Sequence, residues 1–143
     1  MEGRAKTPYL SFFYIHEKTN FKPIYNRKGK PSFSERQKPG VYIIKEDGFI
    51  IYVGYSKINF YKTLYRHFEK WEGPAAGLTF VDQMDKFSYT ARIIYCTSRQ
   101  AEVLEKMLIR RYKPGANKNK YKDFEPTGRD KIVWKSYQDA ELI

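Results

Sequence analysis

The sequence predicts an α+β fold, a small sandwich in which a central antiparallel three-stranded sheet is flanked by helices, with extensions at both ends. Three observations carry that expectation. Two apolar runs, Val41–Ile44 and Phe49–Val53, are separated by Glu46-Asp47-Gly48, a strong local hairpin signal. Two later segments repeat their apolar residues at helical spacing. A third loosely alternating run, Phe87–Cys96, lies between those segments and completes the order strand, strand, helix, strand, helix.

Composition bounds the rest. At 143 residues there is room for one domain with its own core, and 41% hydrophobic with 17% aromatic residues argues against disorder. A mean hydropathy of −0.71 nevertheless requires a small core inside a strongly polar shell. The formal charge of +11, from 27 Lys and Arg against 16 Asp and Glu, is the balance that recruits a polyanion, and nucleic acid is the leading partner. After Met1 no apolar stretch is long enough for a signal peptide or a membrane span. The expectation is therefore a protein of the cytosol, or one associated with nucleoid or nucleus, that is not secreted and not in a membrane. The single cysteine, Cys96, rules out an internal disulfide and reads as a buried strand residue without chemistry. His16 and His67, the two histidines, have no spacing that suggests a zinc site.

In chain order, residues 1–38 form a basic aromatic leader. Tyr9–Ile15 is a candidate strand, and Asn26-Arg27-Lys28-Gly29-Lys30-Pro31 is a charged turn. Phe12, Phe13, Tyr14, Phe21, Tyr25 and Phe33 are too many rings to leave in water, so the leader should pack on the core. The core, 39–118, opens with the hairpin and continues into a helix from about Asn59 to Trp71, with Phe60, Leu64, Phe68 and Trp71 on one stripe and Gly73-Pro74 beyond its end. After the third strand a second helix begins at Ser98, with Glu102 as in a mild capping box, and ends near Lys113 before Pro114-Gly115. The tail, 119–143, mixes Lys, Tyr and Asp with Val133-Trp134 and is expected to be partly ordered, docking through Trp134.

Several residues stand out for chemistry. In the second helix Ala101, Leu104, Leu108 and Tyr112 lie on one stripe, and Glu105 falls inside it. A carboxylate there needs a partner, whether a neighbouring Lys or Arg, hydrogen-bond donors or a metal. Tyr42 and Tyr52 sit on the two hairpin strands, each in a triplet that contains a glycine; singly they read as ordinary sheet aromatics. His67 lies near the apolar stripe of the first helix, where a satisfied core histidine is an equally good reading.

Taken together, Gly40-Val41-Tyr42, Tyr52-Val53-Gly54, His67 and Glu105...Pro114...Asn117 resemble the motifs of the GIY-YIG nuclease superfamily over about residues 39–118. The resemblance implies an endonuclease that hydrolyses DNA phosphodiester bonds with a single Mg2+ or Mn2+ ion, held by Glu105, and no metal-ligand cluster. Tyr42 and Tyr52 would face the reaction, one helping to deprotonate water and the other supporting the network around the phosphate. A tyrosine at its ordinary pKa near 10 needs a nearby cation for that task. His67 would bond near the scissile phosphate, and Asn117 would complete the set.

One part of the pattern is missing. Where the superfamily has a catalytic Arg, this chain has Thr63, followed by Leu64. Lys62 and Arg66 are the neighbouring cations that can stand in, though a lysine neutralises phosphate as a point charge and not as a planar fork. Lys57, Lys62, Arg66, Arg110, Arg111, Lys113, Lys118 and Lys120 are the expected contacts to DNA, taken as double-stranded; contacts of this kind position the duplex without specifying sequence. Tyr112 and Tyr121, interleaved with them, read as packing residues before base-stacking ones. Two rivals remain: a DNA-binding module that kept the fold but lost hydrolysis with the Arg, and a single-stranded nucleic-acid binder that stacks bases over a basic sheet.

The shared chemistry also constrains register. A two-residue Asp47-Gly48 turn would pair Tyr42 with Val53 and place the tyrosines on opposite faces. A three-residue Glu46-Asp47-Gly48 loop with Gly48 left-handed sets Tyr42 across from Tyr52, and this is the register expected.

Overall fold

The computed structural model describes residues 17–28, 30–34, 38–66 and 89–141. Strands β1 (Glu17–Lys18), β2 (Lys22–Pro23), β3 (Gly40–Glu46) and β4 (Phe49–Ser56) precede helix α1 (Phe60–Tyr65). Strand β5 (Tyr89–Tyr95) and helices α2 (Ser98–Tyr112) and α3 (Gly128–Glu141) follow. All strand pairings are antiparallel, in the order β1-β5-β3-β4 with β2 also on β5. The expected three strands are thus the centre of the sheet, with β3 in the middle. The strand count differs because two short leader segments extend it. They cover the outer edge of β5, where Thr19 both donates its N–H to the Ile93 carbonyl (3.0 Å) and accepts the Ile93 N–H on its hydroxyl (3.1 Å). Two-residue strands are too short to show a period in sequence. The expected strand Tyr9–Ile15 and the rings of Phe12, Phe13 and Tyr14 lie outside the described residues.

Side-chain alternation divides the core into two layers. On one face Tyr42, Ile44, Tyr89, Ala91, Ile93 and Tyr95 pack against Ile24, Tyr25 and Phe33 of the leader and Leu64 and Tyr65 of α1. On the other, Val41, Ile43, Val53 and Ile94 pack against Ala101, Leu104, Leu108 and Ile109 of α2 and Val133 and Tyr137 of α3. Cys96 is buried in this second layer, and burial pushes its thiol up to about 12.

The hairpin corrects the expected register. Asp47 (φ 51°) and Gly48 (φ 87°) both have positive φ, as a two-residue type I′ turn requires, and Glu46 pairs with Phe49 as the local Asp-Gly signal favours. No three-residue loop forms, and Tyr42 does not lie opposite Tyr52. A bulge restores the shared face by another route: Ile51 falls between the pairs Lys45↔Ile50 and Ile44↔Tyr52, so Tyr42 pairs with Gly54. Tyr42 and Tyr52 are therefore diagonal neighbours on one face, their rings stacked at 6.0 Å and 21°. The Tyr42 ring lies across Gly54, where a Cβ would come within 2.5 Å of its Cζ and hydroxyl oxygen.

Helix ends follow local capping. The Asn59 side chain accepts the Lys62 N–H to start α1, and Thr97, not Ser98, caps α2 by accepting the Gln100 N–H. Lys113 in the left-handed conformation (φ 47°) ends α2 before Pro114. The expected continuation of α1 to Trp71, with Phe68, lies outside the described residues, as does Phe87 before β5. The tail is a correction: instead of a partly ordered segment it forms α3, which buries Val133 and Tyr137 on α2 with Trp134 only partly covered. Its start is a reciprocal cap in which the Thr127 hydroxyl accepts the Asp130 N–H and Asp130 accepts the Thr127 N–H. The Thr127-Gly-Arg-Asp130 spacing was the available signal; the weak amphipathic pattern behind it hid the helix. Among the described residues no helix is long and apolar enough to cross a membrane.

Gly54→Ala should lower the unfolding free energy by about 1–3 kcal/mol, because an added carbon must displace the buried Tyr42 ring. Gly115→Ala, whose Cβ would meet nothing within 4 Å, should change it by less than about 0.5 kcal/mol. Urea denaturation of the two variants checks the contrast.

Candidate functional site

The site begins with the tyrosine pair. Tyr42, on the central strand, is 1% exposed, and its hydroxyl is hydrogen-bonded to that of Tyr52, on the edge strand β4. Burial holds the Tyr42 proton well above the usual range, reinforced by Tyr52, the bond between the hydroxyls and the Glu105 charge, with Arg66 opposing. Tyr52 is raised as well, first by burial and then by Glu105, while Lys120, the bond to Tyr42 and Arg66 pull it down. Charges from the end of α1 and from α2 thus act on both hydroxyls, and one from the segment after α2 acts on Tyr52.

Glu105 is buried within the apolar stripe of α2, at 1% exposure, among Ala101, Leu104 and Leu108. Tyr112, expected on that stripe, is 49% exposed because the helix has run past the core. Both carboxylate oxygens have donors. Lys120 Nζ reaches Oε2 at 3.0 Å, and the Tyr121 hydroxyl reaches Oε1 at 2.7 Å. Burial alone would lower the Lys120 ammonium, but the Glu105 carboxylate, with Tyr121 and Tyr52, outweighs it and leaves the group raised. Tyr121 is pushed up to about 12, by burial first and then by its bond to Glu105.

Asn117 sets where Lys120 and Tyr121 stand. Its side-chain amide donates to the Val53 carbonyl (2.7 Å) and accepts the Val53 N–H (3.4 Å), pairing with the open edge of β4 as another strand would. Ala116 adds a bond from its N–H to the carbonyl of the bulged Ile51 (2.8 Å). The segment then turns through Asn117 N–H to Pro114 O and Lys120 N–H to Asn117 O. Between it and Tyr52 lies a cleft of about 470 Å³ lined by Tyr52 and residues 115–120.

The structure therefore brings together Tyr42, Tyr52, Arg66, Glu105, Asn117 and Lys120. Lys118 lines the same cleft. Thr63, at the position of the expected Arg, spends its hydroxyl on the Asn59 carbonyl (3.1 Å). Lys62 is exposed on α1 and Lys57 is exposed just after β4. Arg110 and Lys113 are exposed at the end of α2, whereas Arg111 lines a separate cleft with Trp134 and Tyr137 on the opposite layer. His67 lies outside the described residues. Sequence reasoning missed the bonds from Lys120 and Tyr121 to Glu105. The demand of a buried carboxylate for donors was legible, but no spacing rule links a helix position to residues in a turning segment 15 and 16 positions later.

The donor set fits a hard divalent cation of the magnesium type. Among the described residues no group of three or more His, Cys, Asp or Glu could cage an ion. A single buried carboxylate, with lone pairs left beside its two hydrogen bonds, suits an ion that keeps most of its water and takes phosphate oxygens.

Comparison with known proteins agrees with this arrangement. The sequence profile of the GIY-YIG catalytic domain matches residues 38–122, more than half of the chain. A stretch of 82 residues is 38% identical to the UvrABC system protein C of Bacteroides thetaiotaomicron, covering 57% of this chain and 13% of that protein. The chain thus corresponds to a small part of that relative. No solved structure matches.

Lys120→Met leaves the Glu105 carboxylate short of a charged donor and should cost about 1–3 kcal/mol of stability. In a Glu105→Gln background the same change should cost clearly less, which a double-mutant cycle by urea denaturation measures. The contribution of Tyr121, whose folded pKa of about 12 lies above the ordinary 10, is fully present below about pH 10 and is lost as pH rises through about 12. Stability should therefore fall less steeply over that window in Tyr121→Phe than in the parent chain.

Proposed function

Because the chain belongs to the GIY-YIG catalytic-domain family, whose membership supports a nuclease-type function, we propose that it is a divalent-metal-dependent endonuclease hydrolysing phosphodiester bonds of double-stranded DNA. The observation that carries this reading is the convergence of a hydrogen-bonded tyrosine pair, a buried carboxylate and two cations beside one cleft. Glu105 is the residue to hold one Mg2+ or Mn2+ ion, which would supply Lewis acidity toward a phosphate oxygen.

The residues of the chain divide the remaining work. Tyr52 lines the cleft while Tyr42 is buried behind it, so Tyr52 is the phenol that, once its own proton has passed to solvent, is placed as a phenolate to take a proton from the attacking water. Tyr42 orients Tyr52 through their hydrogen bond. Glu105 raises both tyrosines, and neutralising its charge makes Tyr52 a readier base. Arg66, whose charge lowers both tyrosines, replaces the missing Arg and stabilises charge developing on the phosphate. Asn117 acts as a positioning residue through Val53, and His67 keeps the role implied by the family pattern. Lys118, Lys57 and Lys62 offer phosphate contacts. The Thr63 substitution favours one rival, a binding module without hydrolysis, and cleavage assays separate the two.

Metal-dependent nicking of supercoiled plasmid is the expected result, and Glu105→Gln should abolish it while leaving the circular dichroism spectrum and most DNA affinity intact. Plasmid cut normally by that variant, or left whole by the parent chain in both magnesium and manganese, would sink the assignment. Arg66→Ala should slow single-turnover cleavage at saturating DNA by about 10²–10³-fold, with Arg66→Lys in between.

A further inference from the structure

A second basic element lies outside the cleft. The leader turns back on itself through an antiparallel bridge between Tyr25 and Pro31, and the Asn26 N–H bonds the Lys30 carbonyl at 2.8 Å. Asn26 also accepts the backbone N–H groups of Lys28 (2.9 Å) and Lys30 (3.0 Å) on its side-chain oxygen, which shapes the tip before any partner arrives. Arg27, Lys28 and Lys30 are exposed there. Some cations elsewhere find carboxylates: Lys18 and Arg92 bond Glu141, and Lys106 and Lys135 form ion pairs with Glu102 and Asp139. Among the described residues no carboxylate pairs with the three cations of this tip.

The element is also tied to α1. The buried Tyr65 hydroxyl donates to the Ile24 carbonyl (2.8 Å) and accepts the Phe33 N–H (3.1 Å), so one phenol staples both sides of the turn to α1. The Tyr25 ring packs edge-on against Tyr65 at 5.5 Å. The next residue in the chain is Arg66, whose charge acts on the tyrosine pair. Beside the turn lies a cleft of about 510 Å³ whose lining includes Lys22, Arg27, Pro23 and Tyr25. Cations lining one cleft with a proline and a tyrosine suit a sugar–phosphate strand, with phosphate on the cations and the deoxyribose against the rings.

We infer that residues 22–28 and 30–33 form a second DNA-docking element, which grips the phosphate backbone of the duplex away from the scissile step and sets its position relative to the cleft. This rests on the reading of the protein as a DNA enzyme, and it adds a contact that none of the motif residues supplies. Backbone contact of this kind is indifferent to sequence and carries its energy in released counterions.

The test compares two triple variants of equal charge change in duplex-binding titrations across a salt series. One, R27A/K28A/K30A, removes the tip cations. The other, R129A/K131A/K135A, removes exposed cations of α3 on the opposite layer. The tip variant should flatten the dependence of log affinity on log salt by about 2–3, so that the affinity lost between about 50 and 200 mM salt shrinks by about 40-fold, while the α3 variant keeps the parent slope. Tyr65→Phe, with every charge in place, should weaken duplex binding by loosening the staple. Equal slopes in the tip variant and the parent overturn the inference and leave the DNA reading standing, and so does equal flattening in both triple variants, which would make net charge the cause. A parent chain without salt-sensitive duplex binding overturns both.

Discussion

A carboxylate removed from water sets the terms for the half of this structure that holds the tyrosine pair. Glu105 sits in the apolar stripe of α2 at 1% exposure, and a buried charge is tolerable only when its lone pairs meet donors and its field meets an opposite charge. Both needs are met from one segment, by the ammonium of Lys120 and the hydroxyl of Tyr121. That segment must stop in the right place, which is the service of Asn117 and Ala116 at the edge of β4. The same negative charge acts in the opposite sense on Tyr42 and Tyr52, holding their protons on. One buried group therefore orders a segment, occupies a lysine and restrains the two tyrosines.

The hairpin shows how local preference and a shared site coexist. Asp47-Gly48 takes the two-residue turn that its positive φ values suit. Left alone, that turn would divide the tyrosines between the two faces. The extra residue Ile51 reverses the parity, and the carbonyl exposed at this irregular point becomes the acceptor for Ala116. The bulge thus serves both the tyrosine pair and the segment that carries the partners of Glu105. Gly54 completes the arrangement by leaving the space that the Tyr42 ring fills.

Cations are distributed with similar economy. Thr63 leaves the helix without charge at the position where the family pattern places Arg, yet Arg66, at the cap of the same short helix, brings a guanidinium to bear on both hydroxyls. Lys120 serves the carboxylate first. The leader contributes cations on a prefolded turn whose staple, Tyr65, is the chain neighbour of Arg66. Charge that composition registers only as an excess of +11 is thereby divided into an internal share, paired with Glu105 and the tyrosines, and an external share.

By itself the sequence determined the α+β class, the antiparallel pairing of the hairpin, the span of α2 and the family, because these rest on periodicity, turn residues and short motifs that act within a few positions of one another. It also marked Glu105 as a carboxylate in need of partners. Tertiary structure alone decided which partners: Lys120 and Tyr121 reach Glu105 only because Asn117 docks on an edge strand more than sixty residues earlier in the chain. It decided the bulge, since Ile51 carries no local signal and slips out of register to reconcile a two-residue turn with packing on both faces. It brought the charge of Arg66 to bear on the tyrosine pair, and it turned the tail into α3, whose weak stripe becomes a helix face only once α2 is there to cover it. Contacts between segments far apart in sequence leave no period to read, which is why the elements were legible and their meeting points were not.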